Sequence, residues 1–265
     1  MKFSIIGTGF IFQKHIDAIK AINGEIVEAI GEGSCVSWKK VVKNPNTDCI
    51  VILAPNYLHY PIALASAKAK KMVLCEKPLA LSSKEIERLK DFPNIFTVFQ
   101  LRHHPEILKL KEKISLQSRK RLSSQQKLHK VKIKILLSRS KEYFRSWKGK
   151  KEQSGGFLFN VGIHYFDLLI YLFGGYDDVE VFYLKRKEGK GLIKGKNYLC
   201  EWHFSLNANK EKQERIFQID NKKINLSSKE NLHIYVYKDL KKKKGVLPEE
   251  ALKSVKLIER IYEKA

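Results

Sequence analysis

The sequence predicts an α/β protein in two parts: an N-terminal Rossmann-type doubly wound parallel sheet over residues 1–116, then an α+β domain over 117–265 with a largely antiparallel open sheet. Three observations carry this. Apolar strand-like runs alternate with helical patterns through the first hundred residues, the order that builds a parallel sheet with right-handed crossovers. A Gly7-Thr8-Gly9 turn stands between the first strand and the first helix, where a dinucleotide fold places it. From about Lys130 the pattern becomes alternating basic and apolar residues, as expected of antiparallel strands with one wet face.

Lys2 to Ile6 reads as the first strand, and the helix after the glycines gathers Ile16, Ile19, Ala21 and Ile22 on one face. Gly7 and Gly9 let the backbone approach a pyrophosphate at the positive end of that helix, with Phe12 in place of the third glycine. Glu25 to Ile30 is the second strand. Gly31 stands where an acid usually meets the adenosine ribose, Glu32 is one step further, and no arginine is beside it, so NAD is favoured over NADP. Asp48 to Leu53 is a buried strand ending in the turn Ala54-Pro55-Asn56-Tyr57-Leu58-His59. Asn56 and His59 fall beside the cofactor in a doubly wound sheet; an Asx turn with a helix-surface histidine is the alternative.

A helix from Leu58 to Ala69 leads to the stretch Met72 to Leu79, an apolar run that ends in Glu76-Lys77-Pro78. Ligands of open α/β sheets lie beyond the carboxyl ends of such strands, so Lys77 is expected in the crevice, with Pro78 biasing it toward an extended backbone. A lysine held this way can do acid–base work; a solvated strand end is the plain alternative. Ser82 to Glu85 caps the next helix, Ile95 to Gln100 forms a strand, and Arg102 follows at its end. There an arginine can hold a carboxylate or phosphate bidentately.

The second part begins after a helix from Pro105 to about Ser115 and a polar, serine-rich connection, Gln117 to Gln126, expected to be mobile. Strands are expected at Lys130–Leu137, Val179–Leu184, Tyr198–Leu206 and Glu214–Ile219. Between the first two, Gly155 and Gly156 precede a helix on which Asn160, His164 and Asp167 stand at i, i+4 and i+7 and converge on one point, either for a ligand or as a structural network. Two helices close the chain. One is capped by Ser227 with Glu230, lines up Leu232, Tyr235, Val236 and Leu240, and stops at Gly245; the other starts at Pro248. These last helices are placed to pack back on the first part.

With 43% hydrophobic residues the chain can build a real core. Its four cysteines form no C-x-x-C pair and read as reduced core thiols, so a cytoplasmic protein is expected, with no signal peptide, no membrane span and no metal site. The formal net charge of +23 is spread over scattered lysines, with one run at Lys241 to Lys244. A solvated basic surface is the first reading and an acidic substrate the second, while the absence of any zinc-finger, RRM or basic-zipper pattern disfavours nucleic acid.

Together Gly7-Thr8-Gly9, Ala54-Pro55-Asn56-Tyr57-Leu58-His59, Glu76-Lys77-Pro78 and Gly155-Gly156 with Asn160, Gly162, His164 and Asp167 closely resemble the glucose-fructose oxidoreductase and inositol dehydrogenase family. Gln100-Leu101-Arg102-His103-His104-Pro105, Ser146-Trp147-Lys148-Gly149 and Ser154-Gly155-Gly156 look like the branch that oxidises UDP-N-acetylglucosaminuronic acid to its 3-keto form for surface polysaccharides. The resemblance implies an NAD-dependent dehydrogenase with Lys77 or His164 as base and a small acidic sugar nucleotide held by Arg102, Asn160, Trp147 and Lys148. It implies a cofactor site of Gly7, Gly9, Phe10, Ile11, Glu32, Pro55, Asn56, His59, Glu76, Lys77 and Gln100, and a homodimer or tetramer formed through the second sheet. Asp167 is expected to orient the helix or His164. Other sugar or cyclitol dehydrogenases, and a non-catalytic NAD-binding sugar sensor of the same fold, are the alternatives.

Overall fold

The computed structural model describes residues 1–120 and 127–265. The connection expected at Gln117 to Gln126 therefore lies largely outside the described residues, and the helix before it runs on to Lys120, past the expected division at 116.

The first sheet is built from β1 (Lys2–Ile6), α1 (Phe12–Ala21), β2 (Glu25–Ile30), α2 (Trp38–Val42), β3 (Cys49–Ile52), α3 (His59–Lys68), β4 (Met72–Glu76), α4 (Ser83–Glu87) and β5 (Ile95–Val98). All strands are parallel, in the order β2-β1-β3-β4-β5. Every residue of β3 and β5 is buried, as both faces of a parallel sheet require. The chain reverses direction across the sheet between β1 and β3, so a crevice opens beyond their carboxyl ends, where such folds bind ligands. On α1 the buried positions are His15, Ala18 and Ile19, while Ala21, expected on that face, is exposed. Ser82 caps α4 by accepting from Glu85 N at 3.3 Å.

After α5 (Pro105–Lys120) come β6 (His129–Leu136), α6 (Lys141–Arg145), α7 (Lys151–Ser154), α8 (Ile163–Phe173), β7 (Asp178–Lys185), β8 (Glu188–Gly195), β9 (Tyr198–Ser205), β10 (Glu214–Ile219) and β11 (Lys222–Lys223). Their order is β11-β10-β6-β9-β8-β7, antiparallel except for the central β6–β9 pair. One face packs on α8 through Phe166 against Trp202 and Phe204. The other is the wet face that the alternating pattern predicts. Exposed Phe182 and half-buried Leu199 are interleaved there with the ion pairs Lys134–Glu214 at 2.6 Å and Lys190–Glu201 at 3.0 Å.

The stretch Lys151–Phe173 is long and apolar enough, by length and composition, to cross a membrane, contrary to the sequence reading; most of its apolar window is buried as the core helix of this half. Cys49, Cys75 and Cys200 are buried free thiols, but Cys35 is exposed rather than a core thiol. The chain ends with α9 (His233–Lys241) and α10 (Pro248–Glu263). Ser227 does not cap α9. The Ser228 hydroxyl accepts from Glu230 N in a local turn, and α9 begins after Leu232. Val236, Tyr237 and Leu240 of α9 join Phe3, Ile5, Ala18 and Ile19 in the core of the first sheet.

Candidate active site

The glycine turn at the end of β1 separates two demands. Gly7 has φ +113°, and a Cβ there would overlap the Leu53 carbonyl and come within 2.6 Å of Ala54 N. Its N–H donates to Ile30 O at 2.8 Å, so Gly7 closes the sheet. A Cβ on Gly9 would meet nothing within 4 Å. Open space therefore faces Gly9 at the entrance of α1, a cradle that suits a pyrophosphate at a helix N-terminus. Phe10 beside it is 93% exposed, whereas Ile11 and Phe12 pack into the core around α1. Gly31 is small for a local reason, since a Cβ there would run into the Thr8 side chain. Glu32, in the exposed turn after β2, is left as the acid at that end.

Asn56 and His59 hold the frame. Asn56, preceded by Pro55 in extended conformation, is buried and donates through Nδ2 to Ser154 O at 2.9 Å and to Asn160 Oδ1 at 3.2 Å, tying the two halves together. His59 is a correction to the sequence reading. Its ring nitrogens lie 2.7 Å from Ala54 O and 2.6 Å from Pro78 O in a site 1% exposed, so it pins the ends of β3 and β4 and has no nitrogen left for a cofactor. Glu76 is also turned away from the crevice. Its Oε1 lies 3.1 Å from His15 Nε2, and its Oε2 accepts from Lys77 N at 3.2 Å.

Lys77 itself occupies the expected place. Its Nζ donates to Asn160 O at 2.9 Å, across the crevice from its own strand. Burial pushes its pKa down from the ordinary lysine range, Glu76 opposes this, and the charge of Lys148 adds to it. The result is a lysine that gives up its proton more readily than a solvated one. His164 is held well below the usual imidazole value, first by burial and then by the charge of Lys77. Its Nδ1 is buried without a hydrogen-bond partner, as is Oε1 of Gln100. Unsatisfied buried polar atoms are costly, and with the open cradle at Gly9 they fit a polar ligand lying along the carboxyl ends of the strands.

Asn160 is committed to protein partners at both ends of its amide, accepting from Asn56 and donating from Nδ2 to Lys148 O at 3.2 Å. It therefore positions the Trp147–Gly149 turn and, through its carbonyl, Lys77. Its helix is not the regular one expected. Leu158–Gly162 forms a π turn before α8, and such turns cluster at functional sites because they re-aim side chains. Asn160 and His164 stay at the crevice while Asp167 leaves it.

Asp167 explains the main correction. Its carboxylate accepts from Arg102 Nε at 2.9 Å and Nη2 at 2.8 Å and from Ser254 Oγ at 3.3 Å, and Arg102 Nη1 donates to Glu250 Oε2 at 2.5 Å. Arg102 is 7% exposed and its bidentate edge is taken, so it does not offer a fork to a substrate carboxylate. Asp167 orients Arg102 and α10 instead of His164. Buried His15 and His233, which meet Glu76, were not singled out by sequence, because their partners are far away along the chain.

A cavity of about 310 Å³ adjoins the crevice at Lys148 and Gly149. Tyr143, Phe144, Lys151, Lys185, Arg186 and Lys187 line its aromatic and basic walls. Lys148 Nζ lies 5.7 Å from the Trp147 ring and 5.9 Å from that of Tyr143, and Lys187 Nζ lies 3.8 Å from the Phe144 ring. Such walls suit a planar base and phosphates.

Comparison with known proteins agrees with this geometry. The model of the Gfo/Idh/MocA oxidoreductase family's NAD-binding Rossmann fold matches residues 23–93, and that of its C-terminal alpha/beta domain matches 126–199. The chain is 26% identical over 200 residues to myo-inositol 2-dehydrogenase of Thermotoga maritima, covering 66% of this chain and 55% of that protein. It is 30% identical over 190 residues to glucose-6-phosphate 3-dehydrogenase of Bacillus subtilis, covering 65% and 53%. These alignments span about half the length of those curated relatives. Among solved structures, the WlbA dehydrogenase of Thermus thermophilus in complex with NAD and alpha-ketoglutarate has a TM-score of 0.84 at 27% identity, covering 96% of this chain and 92% of its own. The same enzyme with NAD and UDP-GlcNAcA gives 0.84 at 25%, covering 100% and 95%. Two family models in the right order, on a parallel sheet with an open glycine cradle and a mixed second sheet, place the chain: it belongs to the Gfo/Idh/MocA oxidoreductase family, with that family's NAD-binding Rossmann domain.

Proposed function

We propose that this protein is an NAD-dependent dehydrogenase of a sugar nucleotide, with UDP-N-acetylglucosaminuronic acid as substrate and its 3-keto form as product. The observation that carries the reading is Lys77, half-buried, of lowered pKa and fixed to Asn160 O at 2.9 Å at the crevice. Bound NAD supplies the hydride acceptor. Lys77 takes the proton of the sugar hydroxyl as the carbon–hydrogen bond beside it breaks, and the neutral His164 ring, with a free buried nitrogen, holds that hydroxyl in place. Geometry leaves both residues eligible as the base; Lys77 is favoured because a lysine must be desolvated to serve, and this one is. The cavity beyond Lys148 receives the nucleotide, its lysines meeting the diphosphate and its aromatic side chains the uracil.

The likeness to a dehydrogenase solved with NAD and UDP-GlcNAcA supports this substrate, whereas the sequence relatives act on cyclitols and sugar phosphates. The proposal extends to a cytoplasmic enzyme of surface-polysaccharide synthesis, paired through the second sheet. Cofactor reduction assayed with UDP-N-acetylglucosaminuronic acid, neutral UDP-sugars and inositols tests it. Turnover of the acidic sugar nucleotide is expected, lost in Lys77→Met with NADH binding retained. Preference for an inositol, or near-normal turnover by Lys77→Met, would overturn the substrate or the base respectively.

A further inference from the structure

Three side chains from distant parts of the chain meet behind the Lys77 turn: His15 of α1, Glu76 at the end of β4 and His233 at the start of α9, all buried. Glu76 Oε1 stands 3.1 Å from His15 Nε2 and 3.5 Å from His233 Nε2, and the three donor atoms lie within 4.8 Å of one another. Ligands about 2.0–2.1 Å from a tetrahedral zinc stand about 3.4 Å apart; both spacings from Glu76 meet this, and the two histidine nitrogens draw together to share one ion.

The rings are held from behind. Asn231 donates through Nδ2 to Lys14 O at 2.7 Å and accepts through Oδ1 from His233 N at 3.2 Å, which fixes the sense of its amide. The same Oδ1 then accepts from His233 Nδ1 at 3.0 Å. That puts a ring proton on Nδ1 and points Nε2 toward Glu76. His233 is 3% exposed, and its Nε2 is buried without a hydrogen-bond partner. A cation between Nε2 and the Glu76 carboxylate gives both of them a partner. His15 Nδ1 lies 2.8 Å from the Tyr237 hydroxyl. A partner on the far ring nitrogen is what fixes the tautomer of metal-ligating histidines.

We propose that His15, Glu76 and His233 bind one divalent transition-metal ion, zinc by the chemistry of two imidazoles and a carboxylate. The ion is structural, fastening α9 to the cofactor-binding half. It stands apart from the proposed reaction, since Lys77 Nζ is directed to Asn160 O.

The test uses the whole protein, stripped with a chelator, dialysed and titrated with Zn²⁺ and separately with Co²⁺. One equivalent per chain is expected, with anomalous diffraction at the zinc edge placing it among the three side chains. His233→Gln should lose that equivalent. Asn231→Ala keeps all three ligands and guards against a folding failure; it should weaken binding about 10–100-fold. No uptake by the wild-type protein, a peak elsewhere, or unchanged affinity in Asn231→Ala would overturn the site and leave His233 packed against Glu76 without an ion.

Discussion

Replacing Arg102 by methionine, which keeps much of the volume and removes the fork, distinguishes a structural arginine from a substrate ligand. The change leaves the Asp167 carboxylate, 1% exposed at its side chain, with only Ser254 against it. Breaking one side of a buried pair costs about 3–5 kcal/mol because the remaining charge is uncompensated. The Glu250 contact adds little, since its side chain is 45% exposed and exposed pairs contribute about 0–1 kcal/mol. For a chain of this length, about 2–3 °C per kcal/mol converts the loss into a fall in Tm of about 6–15 °C. Calorimetry or a urea melt reads it. Arg102→Met/Asp167→Leu should recover most of the loss, because no charge is then left buried alone. An unchanged Tm with a selective rise in KM for the acidic sugar nucleotide over its neutral analogue would refute this account and return Arg102 to the substrate.

Gly9→Ala should leave Tm unchanged and weaken NADH binding, seen by fluorescence titration, because its Cβ enters only the open cradle; Gly7→Ala should lower Tm, because its Cβ enters the Leu53–Ala54 backbone. Since Lys77 works as a base only when neutral, kcat/KM should rise with pH along a limb lying below the ordinary lysine range; Lys148→Gln removes a nearby positive charge, raises the Lys77 pKa and shifts that limb to higher pH. A limb that stays put in the pH–rate profile would count against Lys77 as the titrating group. His164 has a folded pKa well below the ordinary imidazole value of about 6.5, so the unfolded chain takes up its proton first. Its contribution is full above about pH 6.5 and is lost toward the folded pKa at about 1.4 kcal/mol per pH unit. Urea melts at pH 7, 6 and 5 should show that slope flattened in His164→Asn.

The first sheet was legible because buried parallel strands are written as continuous apolar runs, and Lys77 could be placed because it follows one. β8 was not, since Glu188-Gly189-Lys190-Gly191 has little strand propensity and is carried by pairing with β7 and β9 on both sides. The start of α9 was misplaced because Ser227 and Glu230 copy a capping box whose bonds serve a turn instead. At the site, Asn160, His164 and Asp167 were read on an ideal helix, and the π turn that separates them leaves no mark in the spacing. The fate of Arg102 depends on an aspartate 65 residues away. His59, Glu76 and the buried histidines show the same limit, since a polar side chain on an apolar face states a need for a partner without naming it.

Covering the first sheet with a helix from the far end of the chain sets the order of synthesis against the order of burial. The five parallel strands are complete at Val98, while Tyr237, fully buried against Phe3 with ring centroids 5.7 Å apart, leaves the ribosome some 140 residues later. Until then the α1 side of that sheet lacks part of its cover, and the His15 ring lacks both Tyr237 and His233. At translation rates of about 5–20 residues per second, the nascent first domain waits roughly 7–28 s with apolar surface open. A fragment ending at residue 116 lacks α9 and never gains that cover.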